Sequence, residues 1–110
     1  MDARARRMGE NEALFRNVNE RIKEIGEGFS LVATHTNFVC ECSNPLCTDQ
    51  VPLTLEEYEA IRAESERFFV CGGHEIPDIE SVVETHERYV VVRKHPGGPA
   101  ELAEELDPRT

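Results

Sequence analysis

This sequence has no tryptophan, an apolar share of only 39%, and 12 basic residues against 22 acidic ones. The low apolar share describes a modest core for a globular chain. The shortage of positive charge leaves a net charge of −10. Nucleic-acid phosphates demand a basic face, so general binding to DNA or RNA is not expected. The nearest approach to a basic block is Arg4, Arg6 and Arg7 at the extreme N-terminus. No apolar run reaches the length of a membrane span, and none follows Met1 as a secretory signal requires. The expectation is a cytoplasmic protein with no membrane or nucleic acid among its partners. An acidic surface leaves a protein partner as the expected kind. Two catalytic zinc signatures are also missing: His-Glu-x-x-His, and His-x-Glu with a later Pro-Cys-x-x-Cys.

What is present is a concentration of cysteine. Three of the four cysteines fall in Phe38-Val-Cys-Glu-Cys-Ser-Asn-Pro-Leu-Cys47, and the fourth lies in Cys71-Gly-Gly-His74. In a reducing compartment such thiols are read as metal ligands or redox groups before disulfides. A structural zinc site takes four thiolate or imidazole ligands in a tetrahedron. Cys40 and Cys42 project from one strand face, and Cys47 follows in a loop able to fold back over them. For the fourth position there are two candidates, Cys71 and His74. The glycines before His74 let the backbone bend toward the first three, which favours His74. Cys71 closes an apolar run and reads as a small core residue, an alternative fourth ligand or a spare thiol. A site of four cysteines without His74 is the remaining zinc option. The spacing matches neither common ferredoxin pattern. Glu41 and Glu75 read as charges beside the ligands or facing solvent. His35, His86 and His95 read as structural or solvated.

The rest of the chain fits one domain of 110 residues. Residues 1–9 are expected to be disordered. From Glu10, the residues Leu14, Phe15, Val18, Ile22 and Ile25 recur at helical spacing and define one face, stopped by Gly26 and Gly28. That face either packs on the core or offers a seam for a homodimer or another partner. Phe29, Leu31 and Val32 fit a strand or a packed loop. Strands are expected at 36–42 and 50–53. Thr54-Leu-Glu-Glu57 is a capping box for a helix over 55–67. A buried strand at 68–71 follows, then a helix opened by Pro77-Asp78 and carrying Ile79, Val82, Val83 and His86. A strand over 89–93 ends the domain, which covers 10–95. Residues 96–110 are expected to be a flexible acidic tail, with a helical turn or two open at 100–106. This order describes an α+β fold, a small β-sheet with helices against it, zinc-stabilised and preceded by an amphipathic helix.

Three strings together resemble a family of small proteins from high-GC Gram-positive bacteria. They are Phe38-Val-Cys-Glu-Cys-x4-Cys47, Leu53-Thr-x-Glu-Glu-Tyr-Glu-x-Ile-Arg62 and Gly73-His-Glu75, and the Phe15-Arg-x-Val-Asn-Glu-Arg-Ile22 helix fits as well. The likeness covers about Leu14 to Arg93. It implies Cys40, Cys42, Cys47 and His74 as the ligand set, with Cys71 as an extra, and it implies no activity. The functional expectation is a non-enzymatic interaction or regulatory module with a structural Cys3His zinc site. A zinc or thiol redox sensor is the alternative, and a small metalloenzyme the third reading.

Overall fold

The computed structural model describes residues 1–28 and 35–109. Its elements run α1 (Ala3–Gly28), β1 (Thr36–Val39), β2 (Gln50–Leu53), α2 (Leu55–Arg62), β3 (Arg67–Val70), β4 (Glu80–Thr85), β5 (Val90–Lys94) and α3 (Gly98–Glu105). The fold is α+β, with two small antiparallel sheets. β1 and β2 form a two-stranded sheet, and β5 lies between β3 and β4 in a three-stranded one. The expected segment at Phe29, Leu31 and Val32 lies outside the described residues.

Strand alternation divides the core in two. Phe69 and Val91 sit opposite each other on β3 and β5, and join Phe38, Val51, Leu53, Tyr58, Ile61 and Tyr89. Phe68, Val70, Val90 and Val92 face the other way, toward Cys40, Cys42 and Ala103. This follows from the period of two in a strand. Half-buried Cys71 packs against both clusters. Within the first cluster Phe38 and Tyr58 stack with ring centroids 4.3 Å apart, and Phe69 meets both rings edge-on. The second helix is fixed by its capping box: Glu57 N–H donates to Thr54 Oγ1 at 3.0 Å, and Thr54 N–H donates to Glu57 Oε1 at 2.8 Å.

The structure departs from the sequence reading in several places: the strand expected over 36–42 stops at Val39, so Cys40 and Cys42 lie just beyond it, and the helix expected over 55–67 stops at Arg62. The first helix begins at Ala3, not near Glu10, because Asp2 caps it: Ala5 N–H donates to Asp2 Oδ1 at 2.7 Å. Its inward face is not the apolar stripe. Leu14, Val18 and Ile25 are exposed, while Glu12, Ala13, Arg16 and Asn19 are buried and Phe15 and Ile22 half-buried. Hydrophobic periodicity cannot see a face that buries charge in matched pairs. The segment opened by Pro77-Asp78 makes a turn and then strand β4, not a helix. Its β-branched Val82 and Thr85 pair with β5 across a short turn, with Val83 at a bulge between them, and that pairing prevails over an accidental helical spacing.

The C-terminal stretch forms α3 instead of a flexible tail. Gly97, at φ 94°, turns the chain in a way a side chain would resist, and Leu102 and Ala103 are buried. Leu102 lies so close to Gly9 that a Cβ there would meet Leu102 Cδ2 at 2.8 Å, so α3 crosses α1 at a glycine. Beyond the helix, Asp107 Oδ1 accepts from the buried Arg62 Nη2 at 2.7 Å, and Arg109 bridges Glu20 and Glu59. Glu20 in turn accepts from Tyr58 Oη at 2.6 Å. Replacing Asp107→Asn should therefore lower stability by about 1.5–3 kcal/mol, the cost of weakening a hydrogen bond to a buried cation. Urea denaturation checks this; a change below about 0.5 kcal/mol, the surface-residue range, would mean the terminal residues do not lock α2.

Candidate metal centre

The last residue of β1 and the two that follow set the geometry of the site. Val39 N–H donates to Asn19 Oδ1 of α1 at 2.8 Å, Cys40 N–H to Asp49 O at 3.0 Å, and Glu41 N–H to Phe69 O of β3 at 3.0 Å. Three consecutive amides thus point to three different parts of the fold. Asn19 also returns its own amide to Val39 O at 2.9 Å and to Glu41 Oε2 at 3.0 Å. Asn11 donates to Cys42 O at 3.1 Å. The polar inward face of α1 thereby holds the cysteine-bearing segment in register.

Cys47 is delivered by a turn. Asn44 Oδ1 accepts from Leu46 N–H at 3.0 Å, and Asn44 O accepts from Cys47 N–H at 3.0 Å. This local side-chain bond is why an Asn-Pro pair turns the chain. His74 is delivered by a second turn, in which its N–H donates to Cys71 O at 2.9 Å and Gly73 adopts φ 92°. A residue with a Cβ resists that angle.

The ligand atoms of Cys40, Cys42, Cys47 and His74 all lie within 4.8 Å of one another. His74 Nδ1 is 3.4 Å from Cys40 Sγ and 3.7 Å from Cys47 Sγ. A zinc tetrahedron with sulfur and imidazole arms has a sulfur–nitrogen edge of roughly 3.6 Å. Donor identity and spacing therefore fit a zinc-sized ion that favours soft ligands. Cys40 and Cys42 are buried; Cys47 and His74 are half-buried. The thiol of Cys71 is not part of this set. Its amide is close by, however, and donates to Cys40 Sγ at 3.2 Å. Such a bond favours the thiolate form a metal requires.

The thiols are mutually dependent. A hydrogen bond from Cys40 holds the Cys42 thiol well below its ordinary range, at about 5. The same contact, together with burial, pushes Cys40 upward. Burial raises Cys47 and Cys71. The cluster thus accommodates one negative charge easily, and further thiolates need a cation to take up their charge.

Glu41 is not a solvent-facing charge. It is fully buried, receives Asn19 as described, and lies 4.0 Å from Arg16 Nε. Burial raises its pKa. The Arg16 guanidinium covers the face of Phe68, with its carbon 3.5 Å from the ring centroid, and donates to Ser65 O at 2.6 Å. Glu75 accepts from Gly73 N–H at 2.8 Å and so shapes the His74 turn. The remaining histidines lie elsewhere: His86 stacks on Tyr89 at 4.4 Å, and His95 bonds Ser81 Oγ at 3.0 Å. Among the described residues no group of three or more possible ligands includes His35, His86 or His95.

Sequence reasoning overlooked Asn11, Asn19 and Asp49. The asparagines interrupt no motif and are recognisable only once α1 is seen to pack with its polar side inward. Asp49 Oδ2 is 3.5 Å from His74 Nε2, the ring nitrogen opposite the one facing the thiols. A carboxylate there fixes ring orientation and raises the basicity of the other nitrogen. Among the described residues no helix is long and apolar enough to cross a membrane. Comparison with family models, with curated proteins and with solved structures gives no significant match.

Proposed function

We propose that this chain is a non-enzymatic interaction or regulatory module whose fold is tied together by a structural zinc ion. The observation that carries this reading is the convergence of three thiols and one imidazole nitrogen within 4.8 Å, two of the thiols being buried. Four protein donors complete a tetrahedron and leave no position for a reacting water. In such a site zinc supplies a fixed cross-link and no chemistry at an open position. Cys40, Cys42 and Cys47 come from one side of the fold and His74 from the stretch after β3, so the ligands join the two sheets.

The reading of a protein partner is supported by the outward side of α1. Leu14, Val18 and Ile25 are 57%, 40% and 64% exposed, and they lie along one side of the helix. An apolar side that stays exposed among the described residues is a common mark of a contact surface.

The test is direct. Protein purified without added metal should contain about one zinc per chain, with an X-ray absorption shell of three sulfurs and one nitrogen. Iron in place of zinc, a water oxygen in the shell, or a folded protein free of metal would each overturn the reading.

A further inference from the structure

A second set of converging donors overlaps the metal centre at His74. Asp49, Cys71 and His74 place a carboxylate oxygen, a sulfur and an imidazole nitrogen within 4.8 Å of one another. Cys40 and Cys42 are only 1% exposed. Asp49 is exposed, and Cys71 and His74 are half-buried. Cys47 of the first set is half-buried as well, so it is the exposed Asp49 that opens the second set to solvent, while His74 and Cys71 adjoin the buried Cys40.

His74 is suited to both sets because it has two nitrogens. Nδ1 faces Cys40 and Cys47, and Nε2 faces Asp49. Its loop has room to adjust, since a Cβ built on Gly72 or Gly73 would meet nothing within 4 Å. Cys71 is tied to the inner set by its amide, leaving its thiol outside that set. Three mixed donors with an open position hold a hydrated zinc ion without fully stripping it. Staged replacement of water by ligands avoids losing the whole hydration shell in one step.

We propose that Asp49, Cys71 and His74 form a transient three-ligand zinc port through which the Cys40–Cys42–Cys47–His74 centre is loaded and unloaded. This rests on the zinc reading of that centre. At the port, the Cys71 thiol gives its proton to solvent on binding zinc and recovers one when the inner thiols take over. The Cys71 thiol is absent from the final ligand set, so it acts on the path and changes uptake and release by the same factor. Asp49 acts on the path and also orients His74 in the loaded centre.

The experiment uses the full chain, with thiols kept reduced, and follows zinc transfer to and from a chromophoric chelator by stopped flow. Cys71→Ser should slow both directions roughly tenfold and leave the dissociation constant at its wild-type value, and Asp49→Ala should slow uptake by a similar factor while also weakening affinity, since the carboxylate orients His74. Asp49 is exposed and belongs to neither core cluster, so slower uptake in its variant keeps the test valid if Cys71→Ser packs poorly. Unchanged uptake in both variants would overturn the port. So would faster release with weaker affinity in Cys71→Ser, which would assign Cys71 static support of Cys40. Wild-type protein that binds no zinc would overturn both the port and the centre it serves, whereas bound zinc with unaltered kinetics would overturn the port alone.

Discussion

Replacing Cys40→Ser should abolish stoichiometric zinc binding and leave the chain without a cooperative unfolding transition at physiological temperature. Cys40 is buried, lies 3.4 Å from His74 Nδ1, and receives the Cys71 amide. A serine hydroxyl does not become an anion at neutral pH, so the ligand set falls to three. The energetic scale is large: structural zinc contributes about 10–16 kcal/mol in small zinc-folded peptides. Whole domains retain only about 5–15 kcal/mol of net stability. Even a fraction of the metal term exceeds what the two modest core clusters can spare. The measurements are zinc content and a thermal melt, with wild-type protein treated with a strong chelator as reference. The variant and the chelated wild type should melt alike. A Cys40→Ser protein that melts like the zinc-loaded wild type would show that the metal centre is incidental to the fold. Cys71→Ser is the internal contrast: its thiol is outside the ligand set and its backbone amide is unchanged, so its melt should stay close to wild type. Equal damage from the two would make Cys71 a ligand.

The second large effect concerns the underside of α1. Lys94 Nζ is buried against Glu12 and Glu80, donating to Glu80 Oε1 at 2.6 Å and also to Glu12 Oε1. Lys94→Met keeps much of the chain length of the side chain but strands two buried carboxylates. Breaking a buried pair in this way costs about 3–5 kcal/mol at neutral pH. The pH dependence has a definite sign. Burial raises the Glu12 pKa, against the pull of Lys94 and with the help of Glu80. For a carboxyl raised on folding, the stabilising share is complete below the ordinary carboxylate range. It is lost as pH rises through the folded-state value. Removing Lys94 lifts that value further. The deficit of Lys94→Met relative to wild type should thus shrink as pH is lowered from about 8 to about 5. Comparing both proteins at each pH cancels the acid lability of the thiol ligands, which they share. Adding Glu12→Gln to Lys94→Met should restore part of the loss. A deficit independent of pH would point to lost packing on Phe68, whose ring lies 5.2 Å from Nζ, in place of uncompensated charge.

These two results bear on different kinds of information in the chain. The convergence of Cys40, Cys42, Cys47 and His74 could be read because coordination chemistry restricts both residue type and spacing. Little besides metal binding requires Cys40-x-Cys42 followed by a cysteine after an Asn-Pro turn. The Thr54–Glu57 cap and the 50–53 strand were equally plain, since each depends on neighbours in sequence. The inward face of α1 was not, because its partners come from far along the chain: Glu12 meets Lys94, Arg16 meets Glu41, and Asn19 meets Val39. A hydrophobic count treats Glu12 and Arg16 as solvent-facing, and only the folded arrangement supplies their counter-charges. Strand β4 failed for a related reason. Its valines fit a helix by spacing, whereas the β-branched run at 90–92 across the Glu87-Arg88 turn was the stronger signal. The role of Asp49 had no local mark at all, because it depends on which ring nitrogen of His74 faces outward.

The three amides of Val39, Cys40 and Glu41, each committed to a different element, also set a limit on how this sequence can vary. Substitution at these positions alters side chains but leaves the three donors where they are. Insertion or deletion of a single residue between Val39 and Cys42 would move every later donor to the wrong acceptor and carry Cys42 away from Cys40. Length polymorphism should therefore be confined to other stretches, and among relatives this short segment should behave as an ungapped ruler against which the rest of the chain is aligned.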